Sequence, residues 1–421
     1  MPKQLAKEYL NREEAIVASN LAQRCVQCGF CTATCPTFQI TGNELDGPRG
    51  RISLIKGVLE GSTPTYVTQK HLDRCLLCRN CETTCPSGVQ YGNLFSIGKK
   101  LVNEKVNRKK YDRILRWLLK EGLTSSLFSI SMIISKKFRM ILPKFLKSKI
   151  PRDSPILIKN KTSIKFVNEP KSINSKVLFL AGCVQPSMLP NINKSTLNLL
   201  RNCNFECIVA PSTCCGALKS HLDDKKGSMD QVKKNIDTWW PYVELNTIKY
   251  IIINASACSL EIKNYHKLFS KTSPYYLKAK KIVSLAVDLS EILPELLSLL
   301  KKKLPERKRS KLAFHPPCTL QHGQKINGII ENIFNELGYD VSVPTKDSNI
   351  CCGSAGTYSV LQPKFANILR NNKLIELNKI NAEIIISANI GCIAHLQSGT
   401  DKPVMHWVEV LAHELETHQK C

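Results

Sequence analysis

The sequence predicts an α+β / α/β protein, in which a small helical N-terminal domain organised by cysteines precedes an α/β domain that occurs twice. Three observations lead there. The comb RCVQCGFCTATCP, Arg24 to Pro36, returns as RCLLCRNCETTCP, Arg74 to Pro86, with the same cysteine spacing and closing proline. From Lys176 onward the chain repeats itself. KVLFLAGC ending at Cys183 aligns with KLAFHPPC ending at Cys318, Cys214-Cys215-Gly216 with Cys351-Cys352-Gly353, and KYIIINASAC ending at Cys258 with AEIIISANIGC ending at Cys392, at offsets of 135, 137 and 134 residues. Within each copy short apolar runs alternate with amphipathic stretches, which implies a mostly parallel sheet. The expected domains are 1–98, a basic connector 99–175, and two repeats at 176–300 and 301–421.

A chain of 421 residues can bury substantial cores without disulfides, so size does not require its 19 cysteines. The opening MPKQLAKEYLNREEA lacks an apolar signal core. A cytoplasmic protein is expected, and in that reducing compartment dense cysteines mean metal or redox chemistry. No run approaches the roughly 18–20 apolar residues that span a bilayer. The net charge is +26, and residues 99–176 alone carry 21 Lys and Arg against 5 Asp and Glu. A Lys-, Ile- and Asn-rich background composition accounts for such an excess, as does a membrane surface or an acidic partner subunit. A nucleic-acid binder would interleave aromatics with the basic residues. Trp117, Phe128, Phe138 and Phe145 instead fall at apolar helix positions, so no nucleic acid is expected.

Taken in order, the segment between the combs places Ile52, Leu54, Ile55, Val58 and Leu59 at helical spacing after Gly47-Pro48, which predicts a short joining helix. In the connector, YDRILRWLLKEGL and SMIISKKFRMILPKFLKSKIP mix apolar and cationic positions, interrupted by Pro143, Pro151 and Pro155. That pattern suits a helix lying on a membrane interface, or one packed on its own domains. Each repeat should then supply four strands: the opening apolar run, CIVAP or VSVP before the CCG loop, a third run, and a short fourth leading into IVSLAVDLSEIL or PVMHWVEVLAHEL. In parallel sheets ligands sit beyond the carboxyl ends of strands, where Cys183, Cys258, Cys318 and Cys392 fall.

The combs match the known run of bacterial ferredoxins, in which three cysteines of one comb hold a cluster and the fourth crosses to the other cluster. This predicts a bacterial-ferredoxin-like domain with two [4Fe-4S] clusters, one held by Cys25, Cys28, Cys31 and Cys85, the other by Cys75, Cys78, Cys81 and Cys35. Structural zinc would need only two CxxC pairs. Among the nearby arginines, Arg24, Arg49, Arg51, Arg74 and Arg79, the pair Arg49 and Arg51 is singled out for tuning cluster potentials, on a loop fixed by glycines and proline. Adjacent cysteines followed by glycine can aim two sulfurs at one point. Each repeat can thus gather four thiols for metal or redox work: Cys183, Cys214, Cys215 and Cys258, then Cys318, Cys351, Cys352 and Cys392. A buried thiol pair or vicinal disulfide is the alternative, and Cys203, Cys207 and Cys421 lack counterparts.

Two combs followed by two CCG segments, with NELDGPRGRISLIKGVLEG and HLDRCLLCRNCETTCPSGVQYGNL between and after the combs, resemble the iron-sulfur subunits of bacterial glycolate oxidases. The architecture is also similar to the electron-transfer subunit of anaerobic glycerol-3-phosphate dehydrogenase, and the CCG halves to heterodisulfide reductase and lactate-utilisation subunits. The resemblance implies an electron-transfer subunit that takes electrons from FAD-binding partner subunits oxidising glycolate to glyoxylate, and passes them to a quinone-type acceptor, either in the cytoplasm or peripherally on the inner face of the membrane. The sequence itself shows no GxGxxG or P-loop motif. The family's CCG pattern closes with CxxC, whereas Glu261 and His395 stand where the second cysteine would fall. His395 is therefore a candidate ligand, with His315 ranked below it, and a further iron-sulfur cluster in the CCG region is an open expectation.

Overall fold

The computed structural model describes residues 5–125, 127–139, 141, 150–151, 175–211 and 214–418. In the N-terminal region, helices Glu13–Gln23, Pro48–Leu59, Tyr66–Asp73 and Tyr91–Lys105 surround a core that includes Ala18, Ile55, Leu72, Leu94 and Phe95. The joining helix appears as Pro48–Leu59, with Pro at its first position, where a missing N–H costs nothing. Gly98 lets the last of these helices close on it, because a Cβ there would sit 2.5 Å from Ile55. Helices Lys110–Thr124 and Leu127–Lys137 extend into the connector. Its later part, including Pro143 and Pro155, lies outside the described residues.

Eight strands follow: β1 Ser175–Leu180, β2 Phe205–Val209, β3 Ile248–Ile253, β4 Ala286–Asp288, β5 Lys311–His315, β6 Asp340–Ser342, β7 Ile384–Ser387 and β8 Val404–His406. They form two four-stranded sheets in the same order, β2-β1-β3-β4 and β6-β5-β7-β8, and every pair is parallel. Strands buried on both faces need continuous apolar runs. Val177 to Leu180 and Ile251 to Ile253 supply them. The expected four strands per repeat are thus present, in the order the duplication requires.

One core joins the two sheets, and the first sheet buries its other face in a second core around Leu178, Ile251 and Trp239. Ile192, Leu199 and Leu200 of helix Pro190–Asn202 cluster with Val408, Leu411 and Leu415 of helix Trp407–His418. Asn191 and Asn198 donate to Glu409 and Glu416 across the same seam, at 2.9 and 2.7 Å. The loops at the carboxyl ends of the strands also meet: Ser256 N–H donates to the Ala388 carbonyl at 3.1 Å, and the Ser256 and Thr319 hydroxyls are 2.7 Å apart.

The N-terminal region docks on the second repeat. Asn80 Nδ2 donates to the carbonyls of Thr34 and Asn349, both at 3.1 Å, and Tyr358 Oη donates to the Arg74 carbonyl at 3.0 Å. Leu76 buries against Ile350, Cys351 and Tyr358. On the other side a charged network joins Asp73, Lys99, Arg108 and Arg116 to Asp223 of the first repeat, with Arg108 2.9 Å from Asp223.

Candidate metal centres

Each comb loop is bent twice into left-handed backbone, at Gln27 and Gly29 in the first (φ 58° and 85°) and at Leu77 and Arg79 in the second (φ 53° and 61°). These kinks flank the middle cysteine and turn the loop around a hollow. A four-residue helix then carries the third cysteine, in Phe30–Ala33 and Asn80–Thr83. The first hollow is lined by Cys25, Cys28, Cys31 and Cys85, and the second by Cys35, Cys75 and Cys78 with Cys81 between the two. The fourth cysteine of each comb therefore reaches the other comb's hollow, as the crossed arrangement requires.

The donor chemistry fits a cationic iron core. Burial pushes the Cys31 thiol up to about 11, and the neighbouring Cys25, Cys85 and Cys28 add to the shift. Cys78 and Cys81 are raised well above the ordinary thiol range, by burial first and then by Cys318 for the one and Cys78 for the other. Gathered thiols resist ionisation without a metal to neutralise them. Donors already aim at the sulfurs: Tyr91 Oη and Leu77 N–H at Cys75, at 3.6 and 3.5 Å, and Val89 N–H at Cys85, at 3.5 Å. Such hydrogen bonds help set cluster potential.

Arg49 and Arg51 line the first and second hollows respectively. They lie in the first turn of helix Pro48–Leu59 and not on a loop, because Pro48 starts the helix there. Arg51 is 1% exposed, donates to the His71 carbonyl at 2.9 Å and Thr37 Oγ1 at 3.1 Å, and lies 3.9 Å from Asp46. Arg49 is partly exposed and pairs with Glu44 at 2.6 Å.

The repeats assemble their thiols as well. In the first, Cys183 and Cys215 both contact Cys214, whose thiol is lowered by donation from these two neighbours, while the same contacts raise Cys183 and Cys215. Cys258 contacts Cys215. In the second, Cys318 donates to Cys351 at 3.8 Å, Cys351 contacts Cys352, and Cys352 contacts Cys392. His395 is not brought to this set: its Nε2 bonds the Ala366 carbonyl at 3.1 Å. His315 is, because β5 ends there and points it at Cys352 and Cys392. The sequence signal for it was available, since His315 occupies the place of Leu180 in the repeat alignment. Tyr91, Thr37 and Lys373 beside the thiols had no such signal.

Crossed thiol hollows next to a duplicated α/β cysteine domain define an iron-sulfur electron-transfer protein. The description "4Fe-4S dicluster domain" matches residues 21–89, and "Cysteine-rich domain" matches 177–263 and 312–397. The glycolate oxidase iron-sulfur subunit of Escherichia coli (strain K12) is 43% identical over 419 residues, covering 99% of this chain and 100% of the relative. The chain belongs to this family of glycolate oxidase iron-sulfur subunits. A probable glycolate oxidase iron-sulfur subunit of Bacillus subtilis (strain 168) is 25% identical over 95% of this chain and 93% of its own. Lactate utilization protein A of Geobacillus sp. (strain WCH70) is 24% identical over 56% of this chain and 98% of its own.

Proposed function

We propose that this chain carries electrons for a glycolate-oxidising complex, with one [4Fe-4S] cluster on Cys25, Cys28, Cys31 and Cys85 and one on Cys75, Cys78, Cys81 and Cys35. The crossing of the fourth cysteines between the two hollows is the observation that carries this assignment. Oxidation of glycolate to glyoxylate releases two electrons and two protons, which an FAD-binding partner subunit would take. Bound clusters supply one-electron acceptance and donation. The chain's own residues hold the thiolates, exclude water, and place Arg49, Arg51 and sulfur-directed donors where they favour added negative charge. The second comb's Cys78 faces Cys318 and Cys351 electrostatically, which supports an outlet on the side of the second repeat, towards a quinone-type acceptor.

We also propose peripheral contact with an anionic membrane through the connector helices. Among the described residues no helix is long and apolar enough to cross a bilayer. Yet Ile114, Trp117, Leu118, Leu127, Ile130 and Ile133 all stand more than half exposed, beside Lys110, Arg113, Lys136 and Lys137. An apolar face with a cationic rim suits a lipid interface.

Low-temperature EPR on anaerobically prepared Cys85→Ser and Cys35→Ser tests the cluster assignment. Cys85→Ser should alter only the signal also altered by Cys28→Ser, and Cys35→Ser only that altered by Cys78→Ser; the uncrossed pattern would overturn it. For the membrane, Ile130→Asp/Ile133→Asp should abolish flotation with anionic vesicles while electron transfer to a soluble dye persists. Unchanged flotation would refute that contact.

A further inference from the structure

The two repeats carry matching cysteines but differ at the strand that feeds them. β1 ends in Leu180, β5 in His315. The His315 ring is 1% exposed, and neither ring nitrogen has a hydrogen-bond partner among the described residues. A buried imidazole with both nitrogens idle is costly, since each polar atom has lost water and found nothing. One nitrogen lies with the sulfurs of Cys352 and Cys392, all within 4.8 Å of one another. Cys351 contacts Cys352 but stands outside this tight group, and would supply the third thiolate by closing in on a bound ion.

We propose that the second repeat binds a single tetrahedral metal ion of the zinc class through His315, Cys351, Cys352 and Cys392, a site the first repeat cannot copy because Leu180 replaces the imidazole. This rests on the reading that the second CCG half is a metal site, and names its nuclearity and its fourth donor. Thiolates on one ion at about 2.3 Å stand about 3.8 Å apart, so touching sulfurs suit a mononuclear centre, whereas a cubane holds its ligands on separate corners. The comb thiols ring open hollows, in keeping with the larger group. Three thiolates and one neutral imidazole on a divalent ion leave one negative charge. Lys373, 2% exposed and held by the Ser348 carbonyl at 3.3 Å, is the buried cation beside Cys351 and Cys352 that offsets it. Asn389 Nδ2 donates to Cys392 Sγ at 3.6 Å and fixes that ligand from outside.

The test is metal and acid-labile sulfide analysis of the anaerobically purified full chain. About eight irons and eight sulfides belong to the combs. The expected result is one further metal atom, zinc by donor preference, with no further sulfide. His315→Leu, the first repeat's own residue, should lose that atom and keep the comb iron. His315→Cys should retain it, and in cobalt-substituted protein should shift the visible ligand-field bands. Extra iron accompanied by extra sulfide, no additional metal, or retention of the atom in His315→Leu would each overturn the proposal. Loss of comb iron from the unmutated chain would instead strike the cluster assignment, leaving the ninth metal to be judged by the cobalt spectrum of the His315→Cys chain against the unmutated one.

Discussion

Arg51 gives the sharpest test of how the polypeptide controls its N-terminal centres. Replacing it with Met keeps the length of the side chain and removes the charge, the donor to the His71 carbonyl at 2.9 Å and the donor to Thr37 at 3.1 Å. Asp46, fully buried, keeps His71 at 2.8 Å and Arg74 at 2.7 Å, so it is weakened in pairing but not orphaned. Two charge-assisted hydrogen bonds at about 1.5–3 kcal/mol each, less the packing that Met restores, put the loss at about 3–5 kcal/mol. A domain of this size should melt at least about 10 °C earlier. The charge faces Cys75 and Cys35, so the potential of the centre on the second hollow should fall while the other moves little. Anaerobic melting followed by cluster absorbance reads the first quantity, and a redox titration monitored by EPR the second. Arg51→Lys separates them, since it keeps charge without the planar fork. A melting shift under about 2 °C, or equal changes in both potentials, would refute the reasoning.

The network around Asp73 makes a pH prediction. Burial would raise this carboxyl, but Lys99, Arg108 and Arg116 outweigh it and hold it below the usual range. Its contribution is therefore fully present above about pH 4 and is lost as pH falls through the depressed folded value. Asp73→Asn should make limited proteolysis after helix Lys110–Thr124 faster at pH 7, and the mutant should lose the acid-dependent rise in cleavage that the unmutated chain shows; identical pH profiles would count against the network. Gly50→Ala would drive a Cβ to 2.1 Å from the Glu44 carbonyl and should cost about 1–3 kcal/mol or more, with reduced iron loading. Gly122→Ala, in a helix with open space at that position, should instead raise stability by about 0.5–1 kcal/mol, and a lower melting point there would contradict the helix.

Much of this was legible because it is periodic or repeated. Comb spacing, duplicated cysteines and alternating apolar runs are local patterns, and the parallel sheets and facing thiols followed from them. What escaped depends on pairing across distance. The joining helix itself is legible, but its first turn, with Arg49 and Arg51, reads as a loop because the glycines around Pro48 look like turn residues; their actual use is close approach, with Gly50 tight against Glu44. His395 outranked His315 because it fills the cysteine position of a related pattern, yet it sits on helix Ile390–Gln397 and turns to the Ala366 carbonyl. The end of a strand aims a side chain more directly than a position one helical turn past the cysteine. The seam joining Asn80 to Asn349 has no sequence signature at all.

That seam also has a meaning in time. Its partners are 269 residues apart, so at about 5–20 residues per second the ribosome needs roughly 13–54 s to make the second once the first has emerged. During that interval the thiols of the second comb stand open on the side that Ile350, Cys351 and Tyr358 will later cover. Cofactor delivery to this comb thus has a window that closes when synthesis of the second repeat is finished, whereas the first comb, with Cys28 still exposed in the finished fold, stays reachable afterwards.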